Sequence, residues 1–300
     1  MLITYFGANC QERSKYLTEG TEKFQNEEYE LALKNFNKEF KTNKSAEVRF
    51  WIASCYFKMK NIPEAKSRFL EIVSSESEGP EVAMSFANLG SCYRDMKQLD
   101  SALFYYNKAI KLNSEDDNSQ FNKGQLLYYE LGDFEGAKEC YNAAIKINPD
   151  YWYYYQKRLE VNFASAKFQE ALIDLLIIDS IHAEVKNEMN LAYCYSMLEK
   201  YSEADSVFQT IYDENDAFFL NNYGFNKYKL GDSKLAIEII DKSLTIKPNN
   251  SYAYRNLALI AIDMENFELA CQHLMKAEKL NFKMNYGDEV QELIQEHCTH

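Results

Sequence analysis

Histidine and cysteine are the residue types in this chain that could hold a metal ion or act as a nucleophile. The four histidines are His182, His273, His297 and His300, and none of them stands in an HExxH arrangement. The run His297-Cys298-Thr299-His300 comes nearest to a ligand cluster, but such a run is more often a frayed terminus. No glycine-rich phosphate-binding loop follows a strand pattern. We therefore predict that the chain is not an enzyme and has no catalytic, cofactor-binding or metal-binding residues, and no cofactor.

Three of the seven cysteines lie in a regular pattern. Cys55, Cys92 and Cys194 each stand immediately before a tyrosine, at the same place of a repeated phrase described below. Free cysteine behaves as a small apolar side chain, and Cys140 and Cys271 also fall on amphipathic helical segments. Because the chain has no CxxC motif and an odd number of cysteines, we expect packing residues, and neither a zinc site nor a disulfide framework.

Cys10 has different surroundings. It follows a short apolar run, residues 2–9, and precedes the polar run Gln-Glu-Arg-Ser-Lys. This arrangement resembles the end of a bacterial lipoprotein signal peptide, whose cysteine is lipidated after cleavage. It departs from that pattern at Asn9 and in having no basic leading segment. Residues 1–12 are thus either the remnant of such a signal, with Cys10 as the lipidation site, or an N-terminal tail.

The composition indicates an ordered chain with a large core. Of the 300 residues, 46% are hydrophobic and 15% aromatic, whereas there are only four prolines and ten glycines. No apolar run approaches the roughly 18 residues that a membrane-spanning helix needs. The net charge is −13, and residues 151–300 contribute 23 acidic against 14 basic residues. Because an acidic surface repels phosphate backbones, we predict no nucleic-acid partner.

A single alanine recurs along the chain at intervals of 32 to 37 residues. A large apolar residue follows four positions later in every case, and glycine or alanine stands twelve positions earlier in six cases. This spacing is typical of a helical-repeat protein. The anchoring alanines are Ala32, Ala65, Ala102, Ala137, Ala171, Ala204, Ala236 and Ala270.

Each repeat is predicted to be a pair of amphipathic helices. In the third repeat, Leu89, Gly90 and Tyr93 share one helical face, and Ala102 and Tyr106 share another. A small residue such as Gly90 lets the two helix axes approach closely. One helix pair cannot bury its own apolar face, so neighbouring pairs must stack.

The repeated phrase resembles the tetratricopeptide repeat family over residues 13–284. The third repeat matches the family pattern best. The fourth has Gly124 one position early, and the fifth has Arg158, Leu159 and Asn162 where the pattern has Leu, Gly and Tyr. The resemblance implies an all-α, right-handed α-solenoid of about eight helix-turn-helix repeats. The repeats would start near residues 13, 46, 83, 118, 152, 185, 217 and 251, and residues 285–300 would form a capping helix and tail.

The resemblance implies a non-catalytic scaffold that binds a partner in a concave groove lined by the first helices. Some groove rings could instead pack against neighbouring helices, and the repeated asparagine also occurs where no ligand is known. A carboxamide both donates and accepts, so an asparagine ladder could hold a peptide backbone. The positions carried over are Asn88, Tyr153, Phe163, Asn190, Tyr193, Phe218, Asn222, Phe225, Tyr228, Tyr252, Arg255 and Asn256.

The expected partner is a protein or peptide, extended and basic, bound by a cytoplasmic adaptor. The alternative is a lipid-anchored assembly factor or chaperone in a bacterial cell envelope, which would touch a membrane only through a lipid anchor at Cys10. The basic character of the partner is expected because the acidic excess is concentrated in residues 151–300.

Overall fold

The computed structural model describes residues 14–184, 186–282 and 288–298. The predicted tail at residues 1–12, with Cys10, lies outside them, as does His300. Within the described ranges the chain is helical and contains no strand, which confirms the all-α fold class. The α-helices are α1 Lys15–Gln25, α2 Tyr29–Phe40, α3 Ala46–Lys58, α4 Ile62–Ser75, α5 Pro80–Asp95, α6 Leu99–Leu112, α7 Asp117–Leu126, α8 Phe134–Ile147, α9 Trp152–Ala164, α10 Phe168–Ile181, α11 Glu188–Met197, α12 Tyr201–Thr210, α13 Ala217–Lys229, α14 Ser233–Ile246, α15 Ser251–Asp263, α16 Phe267–Lys279 and α17 Glu289–His297.

The helices follow one another as antiparallel pairs joined by tight turns, with an odd-numbered first helix and an even-numbered second helix in each pair. The residue five positions before each anchoring alanine has a positive φ. It is glycine in only two turns, Gly132 and Gly231, and a longer residue in the other six, such as Lys97 at 58°. This left-handed residue ends the first helix and reverses the chain.

The repeated small and aromatic residues pack as the sequence indicates. All eight anchoring alanines are fully buried. A Cβ added at Gly90 would lie 2.6 Å from the ring of Tyr106, so only glycine allows this approach. In the fourth repeat, a Cβ added at Gly124 would likewise lie 2.8 Å from the ring of Tyr141. The extra residue in that repeat is absorbed by a π-helical turn, Leu127–Leu131, at the end of α7.

The fifth repeat replaces an aromatic contact with a buried ion pair. In the third repeat, Tyr93 and Tyr105 stack with ring centroids 5.1 Å apart. The equivalent residues of the fifth repeat are Asn162 and Asp174, and the Asn162 amide donates a hydrogen bond of 2.9 Å to the Asp174 carboxylate. Arg158 also donates to both oxygens of Asp174, which is 0% exposed. This polar network joins α9 to α10 at the positions where the third repeat has its stacked tyrosines.

The described chain divides into two compact units, an N-terminal unit ending at Tyr154 and a C-terminal unit beginning at Tyr155. The C-terminal unit ends with α17, which packs against α16 of the last repeat. Val290 of α17 is buried against Leu274, Ala277 and Phe282. The outer residues of α17 are exposed and polar or charged: Gln291, Glu292, Gln295 and Glu296. A polar outer face is what a capping helix requires.

A disulfide bond joins Cys271 of α16 to Cys298 at the end of α17, with Cα atoms 5.6 Å apart. The expectation that Cys271 is only a packing residue, with no disulfide, is therefore wrong. The two cysteines are 27 residues apart in the sequence, and only the return of α17 onto α16 brings them together. Cys55, Cys92, Cys140 and Cys194 are free and buried, as the pattern indicated.

Reduction of this disulfide is expected to loosen α17 selectively. The bond closes a loop at the end of the chain, and such bonds usually stabilise by a few kcal/mol, so amide exchange in α17 should accelerate roughly tenfold or more. Hydrogen exchange with and without a reductant measures this change, and α13 provides the internal control. Equal exchange in α17 under both conditions would contradict the prediction.

Thiol labelling gives the second measurement. Burial raises the pKa of Cys55, Cys92 and Cys194 to about 12, so these thiols are both inaccessible and protonated near neutral pH. Native protein should therefore gain label at Cys271 and Cys298 only after reduction, and none at the buried positions. Peptide mapping by mass spectrometry assigns each labelled cysteine.

Candidate functional site

Three successive first helices of the C-terminal unit, α11, α13 and α15, line one shallow pocket. Its volume is about 50 Å³, far less than the several hundred Å³ of a typical small-molecule or cofactor pocket. The lining residues are Tyr193, Ser196, Met197, Asn221, Asn222, Phe225, Tyr252, Arg255 and Asn256. Six of them are residues that the sequence predicted for a groove.

The asparagines at this pocket differ in how they are engaged. Asn256 is buried, and its amide nitrogen donates to the side-chain oxygen of Asn221 at 3.0 Å. The Asn221 amide in turn lies 3.5 Å from the side-chain oxygen of Asn222. Asn256 therefore ties α15 to α13, whereas Asn222 is half-buried beside the opening.

Arg255 supplies a cation at the pocket wall, and its charge is matched within the chain. Its guanidinium donates to both carboxylate oxygens of Glu289 on α17, one of these bonds being 3.0 Å, and to the side-chain oxygen of Asn256 at 3.0 Å. It also lies 5.5 Å from the ring centroid of Phe225. The capping helix thus fixes the orientation of this side chain.

Aromatic rings surround the pocket on two sides. Tyr193 lies 6.1 Å from Phe163 and 5.8 Å from Phe168, measured between ring centroids. On the other side Phe225 lies 5.9 Å from Tyr228. Phe163 and Tyr228 do not line the pocket but support residues that do.

Tyr228 is held by a hydrogen bond from its hydroxyl to the carboxylate of Asp263 on α15. Burial raises the pKa of Tyr228 above its ordinary value, and the bond to Asp263 raises it further. The hydroxyl therefore stays protonated and keeps donating to Asp263 over the physiological pH range. Tyr252 is similarly fixed, with its ring 4.9 Å from that of Phe282.

Four predicted groove residues lie away from this pocket. Asn88 and Tyr153 belong to the N-terminal unit, where the Asn88 amide donates to the carbonyl of Met84 at 2.9 Å, and Tyr153 lies 5.7 Å from Phe121. Asn190 is half-buried on α11 but does not line the pocket. Phe218 is 56% exposed, with the Lys247 ammonium 4.0 Å above its ring.

Sequence reasoning missed Ser196, Met197 and Asn221 as lining residues. It also missed Asn226, which is fully buried, accepts from Ser196 at 3.1 Å and donates to the Tyr201 carbonyl at 3.0 Å. The doubled asparagine at positions 221–222 was a usable signal, because one member lies at the repeated position. Nothing in the repeat pattern singled out Asn226.

Within the described residues, no cluster of three or more histidine, cysteine or acidic side chains could hold a metal ion. The same part of the chain contains no helix with the length and apolar character needed to cross a membrane. The pocket offers amide, guanidinium and aromatic groups, which suit recognition of a polypeptide segment.

Family models for the tetratricopeptide repeat match residues 47–77, 83–116, 219–250 and 251–284, and a TPR repeat model matches residues 126–158. Together they cover more than half of the chain. A TPR repeat-containing protein of Methanocaldococcus jannaschii is 24% identical over 94% of this chain and 63% of its own length. The mitochondrial import receptor subunit TOM70 of Saccharomyces cerevisiae is 24% identical over 44% of this chain and 22% of its own length. The chain thus spans less than two thirds of either relative.

Solved structures show the same fold. The C-terminal part of a TPR repeat-containing protein from Cytophaga hutchinsonii aligns with a TM-score of 0.58 at 16% identity, over 80% of this chain and 99% of that one. A tetratricopeptide repeat protein from Parabacteroides merdae aligns with a TM-score of 0.54 at 20% identity, over 84% of this chain and 100% of that one.

Stacked helix pairs with a shallow pocket on their first helices define a helical-repeat scaffold. The chain belongs to the tetratricopeptide repeat family. Proteins of this family generally mediate protein–protein interactions and are generally non-catalytic scaffolds.

Proposed function

We propose that the chain is a scaffold that binds an extended segment of a partner protein in the pocket on α11, α13 and α15. The observation that carries the proposal is the convergence of six predicted residues from three successive first helices on one opening. Repeat scaffolds gain affinity by offering such equivalent positions along a stack.

Asn222 is the residue proposed to hold the partner's backbone. Within the described residues its side chain has one hydrogen bond, the 3.5 Å contact from Asn221, so its amide nitrogen can donate to a peptide carbonyl. The amide of Asn256 donates to Asn221. Asn256 is therefore proposed to position the Asn221 and Asn222 side chains and not to contact the partner directly. Phe225 and Tyr193 supply apolar contact area for a partner side chain.

The segment is proposed to be basic because acidic residues exceed basic ones by 23 to 14 over residues 151–300. Arg255 does not oppose this preference, since Glu289 neutralises it. The long-range field of an acidic surface speeds association with a basic segment, and that advantage falls as salt is added.

Site-specific photocrosslinking tests where the partner docks. A photoreactive phenylalanine analogue at Phe225 should capture the partner in cells, whereas the same analogue at the exposed position Lys242 on α14 should not. Mass spectrometry of the adduct identifies the partner. Adducts that form equally at both positions, or only at Lys242, would place the docking site elsewhere.

Affinity measurements with the captured partner give the quantitative prediction. Asn222→Ala should weaken binding by about 1–3 kcal/mol, because a buried peptide carbonyl loses its donor. Phe225→Ala should weaken it by about 2 kcal/mol, the usual effect of truncating an anchoring ring. Lys242→Ala is the control and should bind as the unaltered chain does, while circular dichroism should show equal helicity in all three variants.

The first candidate function places this adaptor in the cytoplasm. A second candidate, an assembly factor or chaperone anchored by a lipid at Cys10 in a bacterial envelope, is favoured by one observation, the Cys271–Cys298 disulfide. Disulfides persist in oxidising compartments and are rare in the cytosol. When the gene is expressed in a bacterial host together with its own upstream region, labelled palmitate should then be incorporated, and Cys10→Ala should abolish the label. Label that is never incorporated, or that the alanine variant retains, would exclude this candidate.

A further inference from the structure

The helix α17 connects the Cys271–Cys298 disulfide to the candidate pocket. Cys298 follows the last residue of α17 and is bonded to Cys271 of α16. Glu289 is the first residue of α17, and both its carboxylate oxygens accept hydrogen bonds from Arg255 at the pocket wall. A helix of nine residues is thus held by a covalent bond at one end and by an ion pair at the other. Any change that releases α17 takes this carboxylate away from Arg255.

An apolar contact forms a second link between α17 and the pocket. Val290, the second residue of α17, is buried in a cluster with Phe282. The ring of Phe282 lies 4.9 Å from the ring of Tyr252, which lines the pocket. Release of α17 would uncover Phe282 and loosen the ring that fixes Tyr252. The charge of the pocket and one of its aromatic walls therefore both depend on the position of α17.

The order of α17 depends on its contacts with the rest of the C-terminal unit. Isolated helices shorter than about 12–15 residues are marginal in water, and the Asp288 side chain makes no capping hydrogen bond at the start of this one. Of the residues of α17, Val290 alone is buried, while Leu293 and Ile294 are half-buried. A disulfide that closes the loop between α16 and α17 opposes local unfolding of such a short helix.

A reductant can reach this bond. Both Cys271 and Cys298 are half-buried, whereas the free cysteines of the described chain are buried. A thiolate of a dithiol reductant attacks one sulfur, the S–S bond breaks, and the other cysteine leaves as a thiolate that takes up a proton. The second thiol of the reductant loses its proton, attacks the mixed disulfide and releases the first cysteine, which is also protonated. The chain gains two electrons and two protons, and the dithiol becomes a disulfide.

We propose that the oxidation state of the Cys271–Cys298 pair controls the charge of the pocket and, through it, the binding of the partner segment. In the oxidised chain α17 is held in place and Glu289 neutralises Arg255. Reduction by a dithiol releases α17, so Arg255 loses this carboxylate and the pocket becomes more positive. A more positive pocket repels a basic segment. The effect on binding rests on the proposed function, whereas the effect on the charge of the pocket does not.

A fluorine label at Phe225 tests the charge of the pocket in the full chain without a partner. The Arg255 guanidinium lies 5.5 Å from the centroid of this ring, so para-fluorophenylalanine at position 225 places the fluorine nucleus near it. The relaxation of the fluorine signal by an anionic nitroxide, divided by that caused by a cationic one, reports the local potential. Reduction with dithiothreitol should raise this ratio by at least about twofold. The variant Cys271→Ser/Cys298→Ser should show the raised ratio without a reductant.

Two controls identify the route of the effect. Phe104 is an exposed ring of the N-terminal unit with the Lys108 ammonium 5.3 Å from its centroid, so the same label there also lies beside a cation. Its ratio should not change on reduction. Glu289→Gln keeps the disulfide and removes the carboxylate charge, so the ratio at Phe225 should already be raised in the oxidised variant and change little on reduction. Circular dichroism should show equal helicity in the oxidised variant and the unaltered chain.

Photocrosslinking from position 225 to the captured partner tests the effect on binding. The yield of adduct with the purified chain should fall at least about fivefold on reduction, which lies within the usual range of coupling between two sites. The yield should be lowered without a reductant in Glu289→Gln and in the double serine variant. If the oxidised chain formed no adduct, the proposed function would fail together with the binding effect, and the fluorine ratio would still decide whether the disulfide controls the charge of the pocket.

Four outcomes would overturn the proposal. The first is an unchanged ratio at Phe225 after reduction. The second is an equal change at Phe225 and Phe104, which would be a general effect of the reductant. The third is a change on reduction that is as large in Glu289→Gln as in the unaltered chain, because the ion pair with Arg255 would then not be the route. The fourth is an equal yield of adduct from the oxidised and the reduced chain.

Discussion

Replacing Asp174 with alanine is expected to lower the free energy of unfolding of the C-terminal unit by about 3–5 kcal/mol. Asp174 is fully buried and accepts hydrogen bonds from Arg158 and Asn162, so its removal leaves a partly buried guanidinium and a buried amide without their acceptor. An uncompensated buried charge costs far more than the intact pair contributes. Chemical denaturation followed by circular dichroism measures the loss.

The matched control for Asp174 is Glu170→Ala on the same helix. Glu170 is an exposed carboxylate four residues away, and exposed substitutions of this kind usually change stability by no more than about 0.5 kcal/mol. A conservative second variant, Asp174→Asn, should recover part of the loss because its oxygen can still accept from Asn162. If Asp174→Ala unfolded at the same denaturant concentration as Glu170→Ala, the buried network would not be holding α9 to α10.

Ala102→Arg is expected to destabilise the N-terminal unit by about 3 kcal/mol or more. Ala102 is 0% exposed and lies in a cluster with Tyr106 and Leu126. An arginine there must either bury an unpaired charge or push apart the stacked helices α6 and α7. Both outcomes remove apolar contacts from the repeat interface, so the change should appear as a large fall in the melting temperature.

Asn107→Arg is the control, because Asn107 is exposed on the same helix. This substitution introduces the same arginine side chain at a surface position. Its melting temperature should stay within a degree or two of that of the unaltered chain, roughly the effect of a surface substitution. The repeat register would be wrong if Ala102→Arg melted at the same temperature as this control. Because the two units are compact by themselves, hydrogen exchange should show the loss in the N-terminal unit.

The helix pairs could be predicted from the sequence because the spacing of apolar residues within each helix shows which face is buried. Gly90, Ala102 and Tyr106 recur in register, and the structure buries all three. The same reasoning predicted a helix with Val290, Leu293 and Ile294 on one face, and these three residues pack in one apolar cluster with Leu274 and Ala277. Local periodicity is enough for such predictions, since one helical face has to be covered whatever covers it.

The candidate site was only partly readable. The repeated asparagine position located Asn222 and Asn256. Their different hydrogen bonds depend on Asn221, whose side chain accepts from Asn256 of α15 and lies next to Asn222 of α13. Phe218 of α13 lies beside Lys247, which follows the last residue of α14. This contact depends on the angle at which α13 and α14 cross. Equivalent repeat positions share a helical face, yet their surroundings differ with every neighbouring substitution.

By itself, the sequence determined the helix pairs, the tight turns between them, the buried anchoring alanines and the family. Tertiary structure alone decided the Cys271–Cys298 bond, the Arg158–Asp174–Asn162 network and the bond from Arg255 to Glu289 on α17. The physical reason is the range of the contacts. The burial pattern of one helical face repeats every three or four residues, so the local sequence is enough to predict it. A disulfide or an ion pair between helices joins residues far apart in the sequence, and only the packing of the helices decides which residues meet.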